Sequence, residues 1–391
     1  MNRWLILFLG IIANLALGIP YSASVLAMPM MAGLLNIGDP AEARAYFAPI
    51  FTLTILFVPV GMLLAGRLER ISHRVPIALG AIVYGLGVFI SSFVTDFYIL
   101  CITFGLAISV GSGLVYGTVV ANAVRWFPDR KGLASGLAVA ALGFGPVWIA
   151  PLSAFLLANE FAIQQVLQIL GTICFLAMIL ATITPAPPQQ QGPATTHKGN
   201  DLVWTQMLCT RKFWLLFTLF FLGTVPGMML LSQASGIFQE FGNFTPEVAA
   251  GLVAVLAVAN ALGRSLWGAI SDYIGRLNAL VIMYILSALA MIAFLPVASN
   301  PALLVFVVIV IGVTFGGYLG LFPSFCAEAF GLKNLAMNYA FLFMGFALAA
   351  LVGPRIYVFF EPAQAFYVAV GVALTGCIIV LLYRQVSRRQ T

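Results

Sequence analysis

"PAPPQQQGPATTHKGND", residues 185–201, is the long stretch of this chain that carries no apolar period. Proline, glutamine and glycine dominate it, which is the composition of a linker rather than of a packed element. The sequence on both sides is very different. Of the 391 residues, 62% are hydrophobic and 8% are charged, and the mean hydropathy is +1.07. Soluble domains carry about 25% charged residues, so water is not the main solvent of this chain. Apolar runs long enough to cross a bilayer, about 20 residues each, number six before the linker and six after it. They fall at about 4–33, 46–68, 75–94, 97–126, 132–158 and 163–184, then at about 213–239, 246–272, 278–298, 302–330, 334–359 and 363–384. The expected fold is an all-α integral membrane protein with twelve transmembrane helices. These form two six-helix bundles, 1–184 and 213–391, joined by a cytoplasmic linker over 185–212.

The N-terminal "MNRWLILFLGIIANLALG" has the look of a signal peptide, with Arg3 ahead of an apolar run. That run continues well past a short signal core, and many spans follow, so it reads as helix 1. Basic residues set the orientation. Arg3, Arg67, Arg70, Arg74, Arg125, Arg130, Lys131, Lys198, Arg211, Lys212, Arg276, Lys333, Arg384, Arg388 and Arg389 fall on one side if both termini share it, against Arg44 and Arg355 on the other. Both termini and the linker are therefore expected in the cytoplasm, with the protein multi-pass in the cytoplasmic (inner) membrane. The net charge of +6 follows from this asymmetry and calls for no nucleic acid partner. The five cysteines form no CxxC pair, and the two histidines, His73 and His197, lie in polar loops. A metal site, a cofactor and a histidine nucleophile are not expected, nor is an enzyme, since no triad, metal cluster or phosphate loop is present.

The two halves echo each other. "WFPDRKGLASG", 126–136, follows the fourth run as "AFGLKNLAMNY", 329–339, follows the tenth; "GMLLAGRLER", 61–70, stands opposite "GAISDYIGR", 268–276. Related turns in two six-helix halves imply a parallel repeat around a central cavity, the plan of the major facilitator superfamily. Gly268, Asp272, Gly275 and Arg276 give G-x-x-x-D-x-x-G-R, which resembles the loop motif of that superfamily. Glycines there let helices approach closely, and the carboxylate can pair with basic partners and latch one conformation. In the first half Ala65 stands where the acid belongs.

"RWFPDRKGLASGLAVAALG", 125–143, resembles the loop and fifth helix of the monocarboxylate transporter family and its bacterial oxalate–formate antiporter branch, through Trp126, Phe127, Arg130, Lys131, Leu133, Ala134 and Gly136. The likeness extends through "VYGTVVANAVRWFPDR", "RKFWLLFTLFF" and "GGYLGLFPS". "GIPYSASVL" replaces the acidic first-helix signature of the animal members, which favours the bacterial branch.

The sharpest single residue is Arg264 in "NALGRSLWGAISDYIGR", 260–276. An arginine at the centre of a membrane helix costs about 2.5–3.5 kcal/mol on insertion scales, and a bound anion would offset that cost. Arg264 precedes Asp272 by about 12 Å of helix, and Tyr116 precedes Trp126 by about 15 Å. Leu142 and Phe346 fall at about 16–20 Å from their helix starts, with Phe315 and Tyr318 at similar depth. Side chains from both halves are thus expected around one cavity near the midplane. There the guanidinium fork suits a carboxylate, Asn260 one turn earlier and Tyr116 give polar support, and Leu142, Phe315, Tyr318 and Phe346 form walls. Val25 and Leu26, beyond Pro20, are further wall candidates. The bland alternative for Arg264 is a structural arginine paired with backbone carbonyls.

The resemblance implies more. Dicarboxylate antiporters of this branch carry a second cavity cation on the eleventh helix, and Phe346 occupies that position here. One cation and an aromatic suit a single carboxylate with a short tail, so lactate- or pyruvate-sized monocarboxylates are favoured over oxalate. The animal members place an aspartate where this chain has Asn260, which does not titrate. The acidic residues all lie near helix ends or in loops, so a proton would travel on substrate or water. The resulting expectation is a monomeric secondary transporter for small monocarboxylates, coupled to protons, working by alternating access in membrane lipid. Its rivals are a carboxylate exchanger of the oxalate–formate kind and a transporter-like carboxylate receptor. The short tail "QVSRRQT" speaks against the receptor.

Overall fold

Helices account for all the regular structure among the described residues, which in the computed structural model are 2–187, 201–242 and 244–388. Twelve of these helices are long and apolar enough to cross a membrane: Arg3–Ser22, Glu42–Leu68, Arg74–Ser91, Phe97–Trp126, Lys131–Ala158, Ile163–Ile183, Arg211–Ala234, Val248–Ile274, Arg276–Val297, Pro301–Phe330, Leu335–Phe359 and Ala363–Arg384. They are the first to twelfth spans below. A bilayer leaves every backbone N–H and C=O to be satisfied within the protein, and helices do this locally. Their lengths therefore follow the apolar runs of the sequence. The first run differs in one respect. It turns through a tight helical segment, Ala16–Ser22, which contains Pro20, and continues as the helix Ala23–Leu35. Residues 188–200 of the expected linker, with His197 and Lys198, lie outside the described residues, as does Arg389.

By contacts the chain divides into two compact units. One is Met1–Trp126 with Ala141–Pro193, and the other is Phe127–Ala140 with Ala194–Thr391. In the first unit the second and fourth spans meet at Gly61 and Gly113; a Cβ on either glycine would run into the other helix's backbone. Asp39 and Asp96 cap helix starts, accepting from the amides of Glu42 (2.8 Å) and Ile99 (2.9 Å). These are two of the acids that the sequence puts near helix ends, and capping is what they do there. His73 and Arg74, at the start of the third span, both hold the carbonyl of Thr184 at the end of the sixth, at 2.9 and 3.3 Å.

The second unit is built on a small-residue seam. Gly312, Gly316 and Gly320 recur every fourth residue of the tenth span and lie against Leu256, Asn260 and Arg264 of the eighth. Helices without a hydrophobic drive toward each other in lipid associate through such close backbone packing. Away from that seam the interior is aromatic: Phe220 stacks on Phe322 with centroids 4.2 Å apart, and Phe294 on Phe366 at 4.5 Å.

Candidate functional site

Arg264 projects from the Gly316/Gly320 seam and is 5% exposed; Asn260, one turn earlier, is 6% exposed. The spacing of four residues puts both on one helix face. Asn260 Oδ1 accepts from Arg264 Nε (3.2 Å) and Nη2 (2.8 Å), and the carbonyl of Val139 accepts from Nη1 (2.9 Å). Val139 belongs to the stretch Phe127–Ala140 that packs with this unit. A guanidinium has five N–H donors. Three are used, so Nη1 and Nη2 each keep one, and Arg264 has no carboxylate partner among the described residues. Asn260 Nδ2 is buried and likewise unpartnered there. The group that results offers donors only, because Asn260 Oδ1 and the Val139 carbonyl are both occupied.

Magnitudes show that this arginine can stand without an anion. Hydrogen bonds to a charged group contribute about 1.5–3 kcal/mol each. Three of them exceed the insertion cost of about 2.5–3.5 kcal/mol for an arginine at mid-helix. What they leave uncompensated is the positive charge itself, in a site nearly closed to solvent.

The candidate walls of this unit are all buried, on other faces. Tyr318 lies over Gly223 of the seventh span and 5.2 Å, centroid to centroid, from Tyr284 of the ninth, and its hydroxyl has no partner among the described residues. Phe315 lies over Gly227 of the seventh span. Phe346 packs on Phe343 (5.0 Å) and Phe220 (6.2 Å). Tyr318 and Phe315 therefore flank the seam that touches Arg264's helix instead of lying on it. In the first unit, Tyr116 and Leu26 are buried, while Val25 and Leu142 are partly buried.

The loop motif forms a charge network at one end of the second unit. Asp272 accepts from the amides of Gly132 and Leu133, each at 2.9 Å, where the N-terminus of the fifth span concentrates positive partial charge. Arg276 Nη2 pairs with Asp272 at 2.6 Å and with Glu328 at 2.9 Å, and Nη1 bonds the Ser271 hydroxyl. Gly275 has φ +85°, which only glycine adopts without strain. Gly268 and Gly132 touch backbone to backbone, so a Cβ on either would collide with the other's carbonyl.

Sequence reasoning missed Glu328 and the fifth-span amides as partners of this motif. It also missed a counterpart in the first unit. There Arg125 makes a two-pronged ion pair with Glu69, at 3.3 and 3.0 Å. Aligning Gly61 with Gly268 puts Glu69 at the place of Arg276, and aligning Phe127 with Phe330 puts Arg125 at the place of Glu328. The signal was present: the two pairs are repeat-equivalent with their charges exchanged.

Among the described residues, twelve helices long and apolar enough to cross a bilayer, with a buried arginine that has no carboxylate partner, make this a polytopic membrane protein. The chain belongs to the Major Facilitator Superfamily, whose family model matches residues 6–354. It is 30% identical over 356 residues to an uncharacterised MFS-type transporter, YhjX, of Escherichia coli (strain K12), covering 90% of this chain and 86% of that protein. Identity is 28% over 358 residues to the oxalate:formate antiporter of Oxalobacter formigenes, covering 90% and 83%. Human monocarboxylate transporter 12 is 26% identical over 351 residues, covering 81% and 67%. The solved structure of FucP in the outward conformation shares the fold, with a TM-score of 0.72 over 96% of this chain and 98% of that one at 14% identity. The resemblance carried by residues 125–143 thus holds at the level of family. Proteins of this superfamily are transporters and not enzymes.

Proposed function

We propose that this protein is a secondary active transporter of small monocarboxylates, lactate- or pyruvate-sized, with Arg264 as the carboxylate ligand. The observation that carries the reading is the Arg264 guanidinium, 5% exposed, with an N–H left on each Nη atom and no carboxylate partner among the described residues. Asn260 Nδ2 supplies a further donor beside it. The oxalate:formate antiporter and monocarboxylate transporter 12 among its relatives are named for small organic anions, which supports the substrate class. The candidate contacts Tyr116, Leu142, Phe346, Val25 and Leu26 complete this reading as polar support and walls, while Phe315 and Tyr318, packed over the seventh span, back the wall from behind the seam. The protein works as a monomer in the cytoplasmic membrane with both termini inside, by alternating access. Gly268, Asp272, Gly275 and Arg276 serve as a cytoplasmic latch on the start of the fifth span. Substrate neutralises Arg264 and so permits closure.

Proton symport is the coupling that the family resemblance implies. One observation favours the rival, carboxylate exchange. The Arg264–Asn260 group has donors only, so it suits an ionised carboxylate and offers no acceptor to a protonated acid.

Calorimetric titration of the purified protein with lactate, pyruvate and oxalate tests the substrate class. The reading expects lactate or pyruvate to bind, with binding lost in Arg264→Ala. Equal affinity in Arg264→Ala would make the arginine structural.

A further inference from the structure

We propose that the docked end of the linker, Asp201–Trp204, is a permanent clamp on the turn between the tenth and eleventh spans. Of the two repeat-equivalent turns, only the one held by Asp272 then opens during transport. The inference rests on the reading of Asp272 as a latch, and it adds a division of labour that the latch alone does not require.

The repeat makes a demand that the first half cannot meet. Residues 126–136 and 329–339 occupy equivalent turns, each leading into a long helix. The first turn is held through Asp272, which caps the amides of Gly132 and Leu133. The residue equivalent to Asp272 is Ala65, which has nothing to offer the second turn.

The linker grips that second turn instead. Asp201 Oδ1 accepts from the Lys333 amide at 3.2 Å, and the Leu202 amide donates to the Phe330 carbonyl at 3.1 Å. The Leu202 carbonyl accepts from Asn334 Nδ2 (3.2 Å) and Asn338 Nδ2 (3.0 Å), the first just before the eleventh span and the second in its first turn. Asn338 is fully buried, and its Oδ1 has no partner among the described residues. A buried amide costs free energy unless it is bonded, so the bond to Leu202 is what compensates for its position. Trp204 stacks on Phe341 at 5.3 Å with the rings 16° apart, and Met207 is fully buried behind it. Gly331, at φ +90°, leaves space that Asp201 fills; a Cβ there would collide with it.

The two holds differ in kind. Asp272 grips through one carboxylate that it shares with Arg276, beside the Gly268–Gly132 backbone contact, and the hydrogen-bonding groups that part there are a carboxylate, a guanidinium and main-chain amides that water can solvate. The linker grips through a main-chain bond, the side-chain amides of half-buried Asn334 and buried Asn338, and a stacked indole, and releasing it would break or expose all of them. The linker joins the spans covalently, so the clamp is never far from its seat.

Hydrogen–deuterium exchange on the full chain in nanodiscs, resolved to single amides, tests this. Asp201→Ala, an exposed change, and Asn338→Ala should speed exchange at Leu202 and Lys333 about tenfold, the change expected when roughly one hydrogen bond of local stability is lost. Asp272→Asn should speed Gly132 and Leu133 while Leu202 and Lys333 keep their protection. Protection at Lys333 that survives in both Asp201→Ala and Asn338→Ala would overturn the clamp. Faster exchange at both turns in Asp272→Asn would overturn the division of labour, since the turns would then open together. No change at Gly132 and Leu133 in Asp272→Asn, with the effects of Asp201→Ala and Asn338→Ala on the clamp intact, would remove the latch itself and with it the contrast between the turns.

Discussion

Three hydrogen bonds hold the Arg264 guanidinium in place, to Asn260 Oδ1 twice and to the Val139 carbonyl once. Because they suffice without an ion pair, Arg264→Ala should fold and lose carboxylate binding, read as an unchanged elution profile beside a flat calorimetric titration. Arg264→Lys should lose about ten- to a hundredfold in affinity, since an ammonium cannot span Asn260 and a substrate carboxylate as the fork does. Asn260→Asp makes a prediction with a definite sign. A carboxylate at 2.8–3.2 Å from the guanidinium would take its charge, so anion binding would require the new aspartate to be protonated. Carboxylate affinity should then be poor at neutral pH and rise as pH falls, and a pH series of titrations checks it. Phe346→Lys adds a second cation, and better binding of oxalate relative to lactate is expected if that side faces the substrate. The pairing of Arg264 with Asn260 was legible because four residues is one helical turn. Val139 was not, because a main-chain carbonyl leaves no mark in the sequence. The walls were legible only as depths: helical rise fixes height and says nothing of azimuth, and Tyr318 and Phe315 turn toward the seventh and ninth spans.

The eighth helix and the start of the fifth meet where Gly268 and Gly132 touch and Asp272 caps two amides. Asp272→Asn keeps the shape and removes the charge that pairs with both Arg276 and the helix N-terminus. It should alter the initial rate of uptake while leaving carboxylate affinity as it is, since Arg264 lies two turns away. Gly132→Ala should act more severely and through sterics, because its Cβ would meet the Gly268 carbonyl, the Arg276 guanidinium and the Asp272 carboxylate. The G-x-x-x-D-x-x-G-R pattern disclosed Asp272 and Arg276 but not their partners, the fifth-span amides that donate to the one and Glu328 that accepts from the other. Glu328 looked like an ordinary helix-end acid, and a helix N-terminus is a property of backbone geometry. The Glu69–Arg125 pair escaped notice for a related reason. Its charges are exchanged relative to Arg276–Glu328, so a search for a like motif passes over it.

Across the molecule, the hydrocarbon thickness of the bilayer made the fold readable. Twelve runs of about 20 apolar residues became twelve spanning helices, eleven of them within about five residues of their expected ends; the first ends at Ser22 and not near 33, because the chain turns through Ala16–Ser22 before the helix Ala23–Leu35. The proline- and glutamine-rich stretch fell between the sixth and seventh. The packing of Asp201–Leu208 onto the eleventh span was not readable, because DLVWTQML, though mostly apolar, is too short to show a period and runs on from the proline- and glutamine-rich stretch. A binding site with one fixed cation and no carboxylate beside it is charged when empty and neutral when it holds a monocarboxylate. The measurement that bears on this most directly is uptake of labelled lactate, pyruvate and oxalate into proteoliposomes. It is to be run with an inward proton gradient, without one, and against preloaded carboxylate, for the natural protein and for Arg264→Ala. Lactate or pyruvate uptake that exceeds oxalate uptake and disappears in Arg264→Ala is the predicted result, with the gradient or the preload identifying the coupling. Undiminished uptake in Arg264→Ala, or no carboxylate uptake by the natural protein under any of the three conditions, would contradict it.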